Sequence, residues 1–586
     1  MKTPFMLAIA GGIFVLAATA AVFLQVSAGP AAPARPLAQI TPAGALLYIE
    51  AKDFGALLKD WDTSPEKQTW LKSDNYEVFS RSKLFLRLKH DQAEFARAAG
   101  FPPDMAMVDQ VAGDMSAFAV YDIGKLQFLY VTRMPQAHAA ESVLWKKRGD
   151  YQPRKVGNAD YYVRVEPESQ RTVAFAVSGD YLLLATREDL LAQSLSLLTS
   201  SEGKAVAGEG WYTKSVSAGG QPGDLRMVLN LDAIVATPQF KSYWIQENVG
   251  DIKARYSSEV TDLFRTPAEY REERVLLLKG DDQQKVGGKS VADPAAEAAV
   301  GQLLRLVPAN QSFYQSWAKP STDELMTAVS TEILSPHFGP RPVSKVAPGA
   351  SATSGTVGSE SDLETRIDEP QPAPVKVGED PLKVLLAAAE PVAVLKLKDT
   401  QQTQDGVFVR PRTAVAILAK SAWNADSVRE VLQRSLETMT TARLGATWTP
   451  RKQGSNTYYQ LDGLSPLSIF TEEKLLVVSD SPETMQALLN GTHKSGSGGA
   501  WYASGFEHAH ESGNFIKMTR SIENTGVNPG LAGNPEHGND STRQPKFFSD
   551  NIGGLSKTLQ RVQTESIEIH DLGDRETQTV RYKWTE

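Results

Sequence analysis

SGDYLLLATREDLLAQSLSLL, Ser178 to Leu198, and TEEKLLVVSDSPETMQALL, Thr471 to Leu489, are written to one pattern. Ser178-Gly179-Asp180 is turn chemistry, because glycine takes up the backbone angles that tight turns need. Short apolar runs follow, Tyr181 to Thr186 and Lys474 to Ser479, of a length suited to buried strands. Leu190, Leu191, Leu195 and Leu198 then recur at helical spacing, so Glu188 to Leu198 predicts a helix packed on the sheet. Upstream, Asp160 to Val165 and Thr172 to Val177 complete three antiparallel strands. Ser116 to Asp122 and Gln127 to Arg133 alternate with period two around Ile123-Gly124-Lys125 and predict a hairpin. Ala45 to Ala51 reads as a strand, Ser64 to Gly100 as polar helical stretches and Ala137 to Lys147 as a helix. Further strands are expected at Leu225 to Asn230 and, after another helix, at Arg274 to Lys279. Hairpins interspersed with helices define an α+β fold with a mainly antiparallel sheet.

Internal matches suggest that this fold occurs twice. Pro42-Ala43 with Tyr48 matches Pro308-Ala309 with Tyr314 at an offset of 266. Arg154-Lys155-Val156-Gly157 with Tyr161-Tyr162 matches Arg451-Lys452-Gln453-Gly454 with Tyr458-Tyr459 at 297. Val173 to Val177, with the strand and helix that follow, recurs as Ser468 to Phe470 with its own. Trp211-Tyr212 matches Trp501-Tyr502, and Gly223 matches Gly513, both at 290. The order is preserved while the offsets drift, which is the pattern of two copies that have gained loop insertions. The expected organisation is an N-terminal segment at 1–36, a first α+β repeat at 37–280, a linker at 281–300 and a second α+β repeat at 301–586. Pro336 to Pro381 is rich in Pro, Gly, Ser and acidic residues, too poor in large apolar groups to offset its ordering entropy, and is expected to be a disordered insert. Thr525 to Lys546 reads as a second polar loop.

The proline-led start at Pro42 to Ala51 and the two blocks quoted above resemble a bacterial exported family catalogued as domain of unknown function 3352. The resemblance covers most of both copies and rests on apolar patterns. It implies an exported envelope protein and no known catalytic residues; the interrupted second copy departs from a compact pattern.

The first residues set the expected address. After Lys2 no charge occurs until Arg35, and Phe5 to Val26 is apolar except for Thr19 and Gln25. A cleavable signal peptide needs an apolar stretch of about 7–15 residues before a small-x-small site, and Val26-Ser27-Ala28 offers one. The run also approaches the roughly 20 residues that span a bilayer, so an uncleaved anchor is the other reading. Either places the chain after residue 35 outside the cytoplasm, in the periplasm or on the outer face of the inner membrane. Gly29 to Pro36 is a Pro/Ala tether.

Composition narrows the chemistry. The chain has 586 residues, no cysteine and 8 histidines, so disulfides, thiolate nucleophiles and cysteine-ligated metals are excluded. A net charge of −8 argues against a nucleic-acid partner, which selects basic surfaces. His508-Ala509-His510, flanked by Glu507 and Glu511, is the best metal candidate, since histidines two apart on a strand share a face. Gly287-Gly288-Lys289-Ser290 fails as a phosphate loop because Gln283 stands where glycine is required. No serine nucleophile elbow is present, and no carboxylate pair is fixed by spacing. Arg154 and Lys155 with Tyr161, and Arg451 and Lys452 with Tyr458, form a candidate basic-aromatic binding patch. The plainer reading puts one tyrosine of each pair in the core and the other outside. Trp211-Tyr212 and Trp501-Tyr502 read as anchors that close each domain. No cofactor is implied. The expected function is a non-enzymatic envelope binding or scaffold module whose partner is an envelope protein, a glycan or a lipid, with membrane contact through an uncleaved N-terminal segment. The competing readings are a carrier for a hydrophobic ligand and a metal-dependent hydrolase.

Overall fold

The computed structural model describes residues 35–71, 76, 79–81, 83–238, 255–280, 293–309, 311–334, 380–402, 409–439, 447–462, 466–490, 499–508, 510–511, 513–514 and 562–584. The N-terminal apolar run, most of the expected insert and the polar loop at 525–546 lie outside them. Among the described residues, no helix is long and apolar enough to cross a membrane. The chain divides into two units. The first comprises Met1–Asp293, Gln402–Val409 and Gly505–Glu586, and the second Pro294–Gln401 and Arg410–Ser504.

The first unit is an α+β fold on an antiparallel sheet, as the hairpin-and-helix pattern predicts. Its strands are β1 (Leu47–Lys52), β2 (Met115–Asp122), β3 (Gln127–Arg133), β4 (Gln152–Val156), β5 (Ala159–Val165), β6 (Thr172–Ser178), β7 (Tyr181–Ala185), β8 (Leu225–Leu229), β9 (Tyr256–Arg265) and β10 (Glu269–Leu278). Their pairings give the order β4-β5-β6-β7-β3-β2-β1-β8-β9-β10, antiparallel at every step. Successive strand residues face opposite sides, and both sides are covered by helices α1 (Lys83–Ala99), α2 (Glu188–Thr199) and α3 (Gly210–Ala218). Leu190, Leu191 and Leu195 of α2 pack on Tyr48, Ala174, Ala176 and Leu183. On the other face Phe95, Ala98 and Ala99 of α1 meet Val173, Phe175, Leu182 and Leu184. Helix α3 lays Trp211, Tyr212 and Val216 over Val228, Val260 and Val275.

The second unit holds α4 (Pro294–Leu304), β11 (Phe313–Ala318), β12 (Pro391–Gln402), β13 (Val409–Ala419), α5 (Ala425–Met439), β14 (Trp448–Gln453), β15 (Asn456–Leu461), β16 (Leu467–Glu472), β17 (Leu475–Ser479), α6 (Pro482–Leu489) and the start of β18 (Tyr502–Glu507). Its core joins Val300, Leu303 and Leu304 of α4 to Leu395, Ala416, Val477 and Met485. The pairings of the first unit reappear ten strands later. β1–β2 and β1–β8 correspond to β11–β12 and β11–β18, β3–β7 to β13–β17, and the meander β4-β5-β6-β7 to β14-β15-β16-β17. The hairpin turns agree in detail: Val156 pairs with Ala159 and Gln453 with Asn456. Gly157 and Gly454 open those turns at φ +56° and +57°, a conformation that favours glycine.

The last two strands, β19 (Val562–Asp571) and β20 (Arg575–Trp584), correct the expected second domain of 301–586. β20 pairs antiparallel with β10, and the hairpin belongs to the first unit. β9–β10 and β19–β20 share one register at a spacing of 306 residues, and Glu273 lies opposite Thr579, its counterpart at that spacing. The four strands β9-β10-β20-β19 therefore form a ribbon with local two-fold symmetry.

Other expectations also need correction. The second unit begins at Pro294, because the Ala-rich end of the expected 281–300 linker forms α4 and buries Ala296, Ala299 and Val300. The expected helix at 137–147 is two short turns, Gln136–Ala139 and Val143–Lys146, divided where Ser142 caps the second. Strand β9 has no counterpart in the sequence reading. The Trp-Tyr match is a coincidence of letters: Trp211-Tyr212 lies in α3, whereas Tyr502 opens β18. Trp501 C=O accepts from Ala318 N–H at 2.9 Å, as Asp224 C=O accepts from Lys52 N–H at 2.9 Å, so Trp501 corresponds in the sheet to Asp224. Gly513, in turn, has helical backbone, whereas Gly223 lies just before β8.

Candidate functional site: buried charge on strands β8 to β10

Strands β8, β9 and β10 carry charged residues into both covered faces of the sheet. Glu50, Arg226, Asp262 and Glu273 stand opposite one another on successive strands and share one face. Arg226 Nε and Nη2 each donate to Asp262 at 2.7 Å, a bidentate pair with Arg226 8% and Asp262 2% exposed. Nη2 also donates to Gly220 C=O at 2.7 Å, and Gly223 N–H donates to Asp262 at 3.0 Å. Tyr48 OH donates to Glu50. Burial raises the Glu50 carboxyl, more than Tyr48, Arg226 and Lys52 lower it. Counted from the corresponding main-chain bonds, Ser316 and Ala503 occupy the places of Glu50 and Arg226 in the second unit. The Arg226 network is particular to the first.

The opposite face is organised by Arg274, which is 4% exposed. Its guanidinium meets Glu259 at 3.0 Å and Glu272 at 2.5 Å, with Thr261 Oγ1 at 3.4 Å and Gln578 Oε1 at 3.5 Å. Thr261 OH donates to Glu259 at 2.8 Å. One cation therefore faces two buried carboxylates. Burial and then Glu259 raise the Glu272 carboxyl, against the lowering by Arg274. Burial lowers the Arg274 guanidinium, but Glu259 and Glu272 outweigh it and its pKa rises.

The polar layer continues onto the C-terminal hairpin. Arg255 and Tyr256 donate to Glu576 at 3.0 and 2.9 Å, and burial raises the Glu576 carboxyl beyond what Arg255 lowers it. Tyr582 OH donates to Glu565 at 3.3 Å, and His508 Nε2 lies 3.4 Å from the same carboxylate. The Arg255 and Tyr256 contacts join residues 321 and 320 positions apart in sequence, on β9 or at its start and on β20. Chemically the layer fixes register. A one-residue slip of β20 would turn Gln578 and Glu576 to the other face and leave Arg274 and Arg255 without those partners.

The residues singled out from sequence have different fates. Tyr161 and Tyr458 are 6% and 2% exposed and point into the two cores, bonded to Glu188 at 3.0 Å and Gln486 at 3.1 Å. Their neighbours face the other side: Tyr162 stacks on Phe175 at 5.3 Å, and Arg429 lies over Tyr459 at 4.0 Å. Each pair divides between the two faces of the sheet, but Tyr162 packs with Phe175 and Trp145 in a second core and not outside, and Tyr161 and Tyr458 are too buried to join an exposed patch. Arg154, Lys155, Arg451 and Lys452 are exposed on β4 and β14. Lys155 pairs with Asp160 at 3.3 Å and Arg451 with Asp462 at 3.1 Å. Both strands also carry a proline, Pro153 and Pro450, at the matching position.

The histidine pair is corrected too. His508 and His510 have helical backbone, where residues two apart point roughly 200° from each other. His508 faces Glu565 and sits edge-on to Phe506 at 4.6 Å, while His510 is exposed. The shared strand face that motivated a two-histidine metal site is absent.

The sequence reading missed the Arg226 and Arg274 networks. One signal was available: EYREERVLLL places Glu272 and Arg274 two apart in a run ending in four apolar residues, as a strand with charge on a buried face would.

The fold thus defines an α+β protein of paired antiparallel meanders. No family model matches the chain, and no curated protein matches it. Among solved structures, crystal form III of TP0453 aligns at TM-score 0.23 and 11% identity, covering 46% of this chain and 87% of that one. Crystal form I aligns at 0.23 and 12%, covering 42% and 80%. At these scores the likeness carries no argument about fold or function.

Proposed function

We propose that the chain is an exported cell-envelope protein, a non-enzymatic binding or scaffold module built from two copies of one α+β domain, akin to the uncharacterised exported family it resembles. The observation that carries this reading is the recurrence of strand pairings ten strands later, together with charged side chains turned inward to hold strands in register. The apolar run from Phe5 to Val26 supports export. Two domains on one chain provide two binding surfaces at high effective concentration.

The test is fractionation of native cells with a C-terminal tag and mild crosslinking, reading the mature N-terminus and crosslinked partners by mass spectrometry. The expected result is protein in the envelope fraction with a reproducible envelope partner. An intact Lys2 terminus marks an anchor and a terminus near Gly29 a cleaved signal. Recovery in the cytosol overturns the proposal.

A further inference from the structure

Helix Pro65–Leu71 ends on Trp70 and Leu71, and α1 carries Phe85 and Leu86 in its first turn. Four half-buried rings connect them. Trp70 lies 6.3 Å from Tyr76 and 6.2 Å from Phe79, and Phe85 lies 6.3 Å from Tyr76 and 5.4 Å from Phe79. The leucines at the two ends point outward, Leu71 at 46% and Leu86 at 58% exposed. From Val78 to His90 the sequence carries Arg81, Lys83, Arg87 and Lys89, between acids at Asp74 and Glu77 before it and Asp91 and Glu94 after it; Arg87 pairs with Asp91 at 3.2 Å and His90 with Glu94 at 3.1 Å, which leaves Lys89 the outward cation beside the rings.

Helix α1 divides this chemistry between its faces. Phe95, Ala98 and Ala99 dock on the sheet. Leu86, Lys89, His90, Ala93 and Arg97 lie outward. The Lys89 ammonium sits 5.7 Å from the Phe85 ring centre, so cation and apolar surface occupy one patch. Basic side chains around exposed leucine and aromatic rings complement an acyl boundary beneath anionic headgroups.

We propose that this patch rests on an anionic lipid surface, a membrane contact separate from the N-terminal segment. The inference deepens the binding-module reading by naming lipid as a partner of the first unit. The chain has no cysteine, so Ala93→Cys in the full-length protein gives a unique attachment point beside an intact Leu86. A polarity-sensitive dye at position 93 should shift to the blue, and be quenched by spin-labelled lipid, in vesicles containing phosphatidylglycerol but not in phosphatidylcholine alone. The same dye at Leu572→Cys, another exposed apolar site of the first unit, should remain water-like. Lys89→Glu should lower the anionic-lipid response about fivefold. A water-like dye at 93 in anionic vesicles, an equal response in neutral ones, or a shift that appears only with an envelope protein extract overturns the proposal. Failure here leaves the fractionation result standing, so the two readings fall separately.

Discussion

Arg274 is the sole cation that touches both Glu259 and Glu272 among the contacts described above, and all three are 4–5% exposed. Arg274→Met keeps much of the side-chain volume and removes the charge, so two buried carboxylates lose their counter-ion. Breaking a buried pair in this way costs about 3–5 kcal/mol. The cost depends on pH. Removing Arg274 takes away the charge that lowers the Glu272 carboxyl, so that group holds its proton to still higher pH and is then neutral; the loss is greatest near pH 8 and shrinks toward about pH 5. Glu272→Gln should behave oppositely. Burial already raises the Glu272 carboxyl, so its ionised form is disfavoured in the fold. Its contribution is fully favourable only below the ordinary carboxylate range and fades as pH rises through the raised value. Glutamine in its place is therefore neutral or stabilising near pH 8, with no advantage near pH 4. Urea unfolding of both variants, followed by tryptophan fluorescence across that range, measures these differences. If Arg274→Met loses under about 1 kcal/mol near pH 8, or Glu272→Gln loses as much as Arg274→Met, the reasoning is wrong.

Four further outcomes are expected, three at single positions and one from a combined change. A Cβ added at Gly223 would lie 2.2 Å from Leu263 C=O, so Gly223→Ala must separate β8 from β9 beside the Arg226–Asp262 pair; a loss above about 2 kcal/mol is expected in the same urea assay. Glu473 holds φ +47° in the β16–β17 turn where Gly179 serves at +57° in β6–β7, so Glu473→Gly should raise stability by up to about 1 kcal/mol, and a lower melting temperature would count against it. On the outer strands β4 and β14, proline withholds a hydrogen-bond donor and Arg-Lys adds charge, the usual protection of a sheet edge. Replacing Pro153 and Pro450 with threonine and Lys155 and Lys452 with valine should promote self-association, read by light scattering, while Arg451→Ala alone should cost no more than about 0.5 kcal/mol.

Legibility from sequence tracked the origin of each signal. The strand-turn-strand-helix blocks were readable because Leu190, Leu191 and Leu195 repeat at helical spacing and Gly179 punctuates the turn. So was the division of the Tyr161-Tyr162 and Tyr458-Tyr459 pairs between faces, which follows from the two-residue period of a strand. Strand β9 was not, because SSEVTDLF places Glu259, Thr261 and Asp262 on faces that only Arg274 and Arg226 on the two neighbouring strands make tolerable. Arg274 finds Gln578, and Arg255 finds Glu576, across about 300 residues; no local window contains both members. The histidine pair misled for a related reason: side-chain spacing means one thing on a strand and another on a helix, and the strand ends at Glu507.

The pairing of β20 with β10 also imposes an order in time. β10 ends at Leu278, yet the strand that lies against it is Arg575–Trp584, some three hundred residues later. Throughout synthesis of the second half, the first unit waits with that edge open. A ribosome stalled or a protease acting anywhere in the second half therefore leaves the first half unfinished, however complete its own sequence. Damage to β20 would therefore be felt at a strand made some three hundred residues earlier.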